Sequence, residues 1–198
     1  AKEFTPALAA LVARVTGLSE HIIGFDFPFS LPRDLIEQRT WRAFVSAFSN
    51  EYATPEDFRD HCRSLTGGKE IKRKTDSEAR VPWCAYNLRL YRQTWAGIRH
   101  VLYPLIANNT ARVIPMQSAQ PGKPLIAEIC PASFLKQEGL HKPYKGRGPE
   151  LQASRDNIVR TLTDRKLLAP VRGRMRQLVF ENSGGDALDA VLSAIAAA

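Results

Sequence analysis

An α/β fold is expected from this chain, and three observations predict it. Short apolar runs at about 21–26, 111–116 and 124–130 are too brief for helices and read as buried strands. Stretches between and after them keep the i, i+3, i+4, i+7 apolar spacing of helices that face a core. Helices and strands therefore alternate in the order of a layered α/β domain, with no internal repeat or low-complexity linker to interrupt it. A chain of 198 residues is most simply one domain, large enough to bury roughly 70% of the surface its unfolded form exposes.

Thr5-Pro6 offers an N-cap and a first helical residue for a helix over 7–15, with Leu8, Leu11 and Val15 on its apolar face and Gly17 as its stop. The strand over about 21–26 ends at Asp26 and is closed by Pro28. Ser30-Leu31-Pro32 starts a helix whose apolar side is Leu35, Trp41, Phe44, Val45 and Phe48. Thr54-Pro55-Glu56-Asp57 combines a cap, a proline at the first helical position and acids in the first turn, so a helix is expected from there to Ser64. Residues 66–82 are polar, open with Gly67-Gly68 and carry Lys69, Lys72, Arg73, Lys74 and Arg80. They read as a long loop, either solvated surface or a mobile arm against phosphates.

One long helix is expected from Trp83 to Ile106, on Leu88, Tyr91, Trp95, Ile98, Leu102 and Leu105. Strands at Ala111 to Met116 and Pro124 to Cys130 are joined by the turn-rich residues 117–123. Pro131 opens a helical turn that Gly139 stops, and the loop over 140–149 carries His141, Lys142, Tyr144, Lys145 and Arg147. A basic amphipathic helix follows over about 150–168, and residues 171–180 are basic again. The last helix, over 183–195, is opened by Gly184 and Gly185 and carries Leu188, Val191, Leu192 and Ile195 as its apolar stripe.

The net charge of +8 and pI near 9.7 point to a polyanionic partner, nucleic acid first among them. Cys62, Cys84 and Cys130 are odd in number and lack CxxC or Cys/His spacing. That argues against a disulfide framework or a structural zinc site and favours a reducing compartment, so a cytoplasmic location is expected. No stretch reaches the roughly 18–20 apolar residues of a membrane helix, so no membrane partner is expected. No P-loop, dinucleotide fingerprint or Ser/His/Asp grouping is present, and the four histidines are scattered. Without an initiator Met or a helix stop at its end, the chain reads as a fragment.

Four carboxylates are candidates for chemistry. Asp186 and Asp189, at i and i+3 in the last helix, could share a divalent cation or simply complement the helix dipole. On a helical wheel Asp189 flanks the buried stripe and Asp186 lies further round. Asp26 ends a strand, where open α/β sheets put their sites, or it starts a turn. Glu128 stands inside an apolar strand and must be paired, bound to metal, protonated or turned outward on an edge. Hard cations such as Mg2+ or Mn2+ take oxygen ligands, so a few carboxylates from different elements suffice to hold them. Two such ions can activate a water and stabilise the leaving oxygen of a phosphodiester. Gly184 and Gly185 would allow close approach to the helix start.

Four motifs in order carry a resemblance: Ile22 to Pro32 (IIGFDFPFSLP), Ala127-Glu-Ile-Cys-Pro-Ala132, Tyr144-Lys145, and Gly185-Asp-Ala-Leu-Asp-Ala-Val191. Together they resemble the bacterial and archaeal family of predicted RNase H-like nucleases, over about residues 8–195. The final helix also looks like that of RuvC-type resolvases. The resemblance implies an RNase H-like mixed sheet flanked by helices, with a helical insertion at about 33–106. It also implies Asp26, Glu128, Asp186 and Asp189 as metal ligands, with Asp26, Glu128, Asp189 and Lys145 as catalytic residues. RNase H-like domains begin with an antiparallel three-stranded unit bearing a further acid. This chain starts at what would be the helix after it, so the fold is expected here without those N-terminal strands, as a single incomplete domain over 1–198.

The expected function is therefore a Mg2+- or Mn2+-dependent phosphodiester hydrolase, a nuclease acting on DNA or RNA. Two alternatives stand beside it. One is a non-catalytic nucleic-acid-binding module with the same fold, and the other is a phosphohydrolase acting on a small nucleotide.

Overall fold

Three short strands, β1 (Ile22–Phe25), β2 (Arg112–Ile114) and β3 (Leu125–Glu128), form a sheet in the order β1-β3-β2, so β3 is central. Both pairings are parallel. The turn-rich residues between β2 and β3 therefore do not close a hairpin. At roughly 3.3–3.6 Å per extended residue, the link over 115–124 is about three times as long as β2, ample to run back and start β3 alongside it. A computed structural model describes residues 4–198 of the chain. The chain divides into two compact units, one up to Glu128 and one from Ile129 onward.

In the first unit the sheet packs with a helical core. α1 (Phe4–Thr16) buries Val15, while the side chain of Thr5, expected as its cap, lies outside the described residues. The helix expected from Pro32 starts later. Arg33–Leu35 is only a 3-10 turn, and α2 (Trp41–Glu51) begins where the Thr40 hydroxyl accepts from the Ala43 N–H. Trp41 is pinned there by its indole, which donates to the carbonyl of Phe29. α3 (Pro55–Leu65) has the expected Thr54 cap, which the structure completes as a capping box, with Thr54 and Asp57 bonded to each other's backbone N–H.

α4 (Lys74–Glu78) is a short helix inside the segment expected as a loop. The long helix expected from Trp83 begins only at Tyr91. Before it the chain turns at Asn87, whose carbonyl accepts from Leu90 and Tyr91 and whose side chain accepts from Arg89. Leu88, placed in the core by its spacing, is 62% exposed. α5 (Tyr91–Gly97) continues through a π-helical turn (Ile98–Leu102) into α6 (Tyr103–Ala107). The wide turn precedes Pro104, which has no N–H to give an ordinary helical ladder. Phe44, Phe48, Phe58, Leu102 and Leu105 fill this core, and Val113 and Ile126 present the sheet to it.

The second unit is helical. It comprises α7 (Pro131–Gln137), α8 (Pro149–Asp164), α9 (Gly173–Glu181) and α10 (Asp186–Ala197), packed around Leu135, Ile158, Leu162, Leu188 and Leu192. α8 stops short of Leu167, which is exposed, and the basic residues 171–180 form a helix of their own.

Candidate functional site

Register decides which way Glu128 points. Ile23, Ile126 and Val113 are partners across the sheet, and Ile126 and Val113 are fully buried against the helices. Side chains two residues apart share a face, so Glu128 and its partner Phe25 lie on this core-facing side, at the C-terminal end of the central strand. The outward-facing edge glutamate is thereby excluded. An unpaired charge in this position would be costly.

Arg73 pairs with it. The guanidinium donates from Nη1 to Oε2 at 2.8 Å and from Nη2 to Oε1, and the backbone N–H of Phe29 adds a bond to Oε2 at 2.8 Å. Arg73 also holds Asp76, which is 2% exposed, through Nε at 3.0 Å and Nη2 at 2.5 Å. Asp76 Oδ2 also accepts from the Arg73 backbone N–H. Burial works to lower the pKa of Arg73, but the hydrogen bonds and charges of Glu128 and Asp76 outweigh it and the net shift is upward. Nothing in the sequence marks Arg73 as the partner of Glu128, or Asp76 as the second acid that Arg73 holds. The only local signal is an acid three residues after the residue that opens a helix, as in a capping box.

Residues 66–82 are correspondingly fastened rather than loose. The Tyr86 hydroxyl donates to the Lys69 carbonyl and accepts from the Ile71 N–H, Lys72 donates to the Val81 carbonyl, and Asn87 donates to Glu70.

Asp26 is exposed directly after β1. Its backbone carbonyl accepts from the Gln93 amide, and the ring of Phe27 presses on Gly97. The register pairs Glu128 with Phe25, one residue short of Asp26. The two acids thus sit at the carboxyl ends of neighbouring parallel strands, staggered by one residue.

In the second unit the structure brings Lys145 to Asp189. Asp189, 8% exposed, accepts from the Tyr144 hydroxyl on Oδ1 and from Lys145 Nζ on Oδ2, each at 2.5 Å. Gly185 has φ of 82°, and a Cβ there would meet Lys145 Cγ at 2.8 Å. The close approach that its lack of a side chain permits is that of Tyr144-Lys145. Asp186 is exposed, on the outer side as the wheel places it.

Arg155, 3% exposed, steadies the Tyr144 to Gly146 loop by donating to the carbonyls of Tyr144, Gly146 and Phe180. Arg155 is absent from the residues singled out above, although its spacing carries a signal. Arg155 occupies position i of a stripe completed by Ile158, Val159 and Leu162 at i+3, i+4 and i+7.

These carboxylates have the oxygen chemistry a hard divalent cation needs, but Arg73 already claims Glu128 and Lys145 claims Asp189. Glu128 Oε2 accepts two hydrogen bonds and Oε1 one, and each oxygen of Asp189 accepts one. Among the described residues no group of three or more His, Cys, Asp or Glu side chains is placed to hold a metal ion. No protein-family model, curated protein or solved structure matches the chain. No helix among the described residues is long and apolar enough to cross a membrane.

Proposed function

We propose that this chain is a divalent-metal-dependent phosphodiester hydrolase of RNase H-like type acting on nucleic acid. The observation that supports it is the position of Asp26 and Glu128 at the carboxyl ends of adjacent parallel strands, the edge where open α/β sheets place their sites. Under this reading Asp26 and Glu128 are oxygen ligands for Mg2+ or Mn2+, which when bound would activate water and stabilise the leaving oxygen. The net charge of +8 supplies attraction for the phosphate backbone. The Phe29 N–H orients the Glu128 carboxylate, and the Gln93 amide holds the backbone that carries Asp26. Asp189 is tied to Tyr144 and Lys145 within the second unit. Cleavage of single- and double-stranded DNA and RNA with Mg2+ or Mn2+ tests the proposal: activity should appear with the wild type and fall at least about a hundredfold in Glu128→Gln. Undiminished cleavage by that variant would overturn it.

One observation favours a second reading, a nucleic-acid-binding module without catalysis. Glu128 and Asp189 are both committed to internal cations. Nucleic-acid affinity that falls steeply with salt, with no cleavage under any divalent ion, would replace the first reading with this one.

A further inference from the structure

We infer that the cleft between α8 and α9 seats one base of single-stranded nucleic acid, read on its amino edge by Asp156 and Glu181, while Arg172 and Arg174 hold the adjoining phosphates. This deepens the nucleic-acid part of the reading above, on which it rests, and needs none of its catalysis.

Helix spacing makes the cleft. Gln152, Ala153 and Asp156 share one face of α8, and Arg176, Gln177 and Phe180 share one face of α9. The two faces line a cleft of about 700 Å³, within the roughly 300–1,000 Å³ of small-molecule sites. Ala153 and Gly173, both in its lining, put no long side chain into it. Arg176 lays its guanidinium over the ring of Phe180, 4.9 Å from the centroid. Aromatic rings and guanidinium planes are the surfaces on which unpaired bases stack.

Charge decides which part of a nucleotide enters. The lining carries one guanidinium and two carboxylates, Arg176 against Asp156 and Glu181, so its net charge of −1 repels a phosphate. The same carboxylates accept from an exocyclic amino group, as acids do from cytosine N4. Both are available for it. Asp156 meets only Arg176, at 3.5 Å and with both side chains about half exposed, and Glu181 meets the neutral amide of Gln177 at 3.1 and 3.3 Å. Gln152 is exposed and brings a further donor and acceptor. Phosphate attraction comes from the chain leading into α9. Arg172 and Arg174 flank Gly173, are exposed, and have no carboxylate partner among the described residues.

Fluorescence anisotropy with single-stranded oligocytidine and oligouridine of about eight nucleotides, in EDTA to prevent cleavage, tests the seat. The two differ in the amino group that the acids read, so oligocytidine should bind about tenfold tighter. Ala153→Phe fills the cleft from an exposed position, and Asp156→Asn with Glu181→Gln removes the charged acceptors. Each should bring the two affinities together, a ratio that the added net charge of the acid variant does not itself change. Arg172→Gln with Arg174→Gln should weaken both ligands alike and make the salt slope shallower by about 1.4. In the wild type, oligocytidine should shift the side-chain amide resonances of Gln152 and Gln177.

Equal affinity for the two oligonucleotides, a preference that survives in the folded Ala153→Phe and acid variants, or unmoved Gln152 and Gln177 resonances at saturation would each overturn the seat and leave nucleic-acid binding to another surface. Binding of duplex alone does the same. An absence of salt-sensitive binding to either single strand and to duplex overturns the nucleic-acid reading and the seat with it.

Discussion

Gly97→Ala sets two effects of opposite sign against each other, and the structure decides between them. Gly97 has helical backbone angles (φ −62°, ψ −48°), so alanine there removes conformational freedom from the unfolded chain and is favoured by about 1 kcal/mol. Its Cβ, however, would lie 2.4 Å from two ring carbons of Phe27, against about 3.4 Å for ordinary contact. The ring must retreat by about 1 Å. It has little room to do so, because it stacks on Phe25 and packs at a tilt against Phe29, with centroids 5.7 and 5.1 Å away, and is itself buried.

Overpacking of this kind costs about 1–3 kcal/mol, and a displacement this large belongs at the upper end. A net destabilisation of about 2 kcal/mol follows. At about 2–4 °C per kcal/mol, the melting temperature should fall by about 4–8 °C. Gly17→Ala is the control, since its Cβ would meet only backbone oxygens at 3.6 and 3.9 Å. It should change stability by no more than about 0.5 kcal/mol. Urea and thermal unfolding of the two variants check the comparison. A Gly97→Ala protein as stable as the wild type would refute the reasoning.

Thr54→Ala removes the hydroxyl half of the capping box on α3 and should cost about 1 kcal/mol in urea unfolding. Asp189→Ala leaves the buried Tyr144 hydroxyl without its acceptor and should cost about 1–3 kcal/mol, whereas Asp189→Asn, which keeps an acceptor, should cost less. In thiol labelling of the folded protein, Cys130 should react first, because Cys62 and Cys84 are buried and burial pushes both thiols up, Cys62 to about 12. The same shift makes stability pH-dependent. The folded state keeps its proton on Cys62 while the unfolded thiol loses it near 9.0, so stability is full below that pH and declines as pH rises towards 12. A urea midpoint that falls above pH 9, with a shallower fall in Cys62→Ala, is the expected outcome.

Much of the secondary structure was legible because it is written locally. Thr54-Pro55 and its acids start α3 as expected, the three apolar runs are the three strands, and Asp189 rather than Asp186 turns inward as the helical wheel places it. Departures occurred where a side chain's partner lies far along the chain or where local polar bonding overrode apolar spacing. The apolar register from Trp83 onward predicts helix, but Asn87 bonds its own neighbourhood into turns and leaves Leu88 exposed. The helix expected at Pro32 waits for Thr40, whose hydroxyl caps it.

By itself the sequence determined that this is a basic α/β protein with one acid ending a strand, another inside a second strand, and two entering its last helix. Those features follow from periodicity and from residue chemistry within a few positions. Only the tertiary structure decided that β2 and β3 run parallel, that Glu128 faces the core, and that Arg73, 55 residues away, neutralises it. The physical reason is range. Spacing fixes which side chains share a face of one element, but strand order and the direction of a connection decide which elements meet. A buried carboxylate announces that it needs a partner without saying whether that partner is an arginine, a tyrosine with a lysine, or a metal ion.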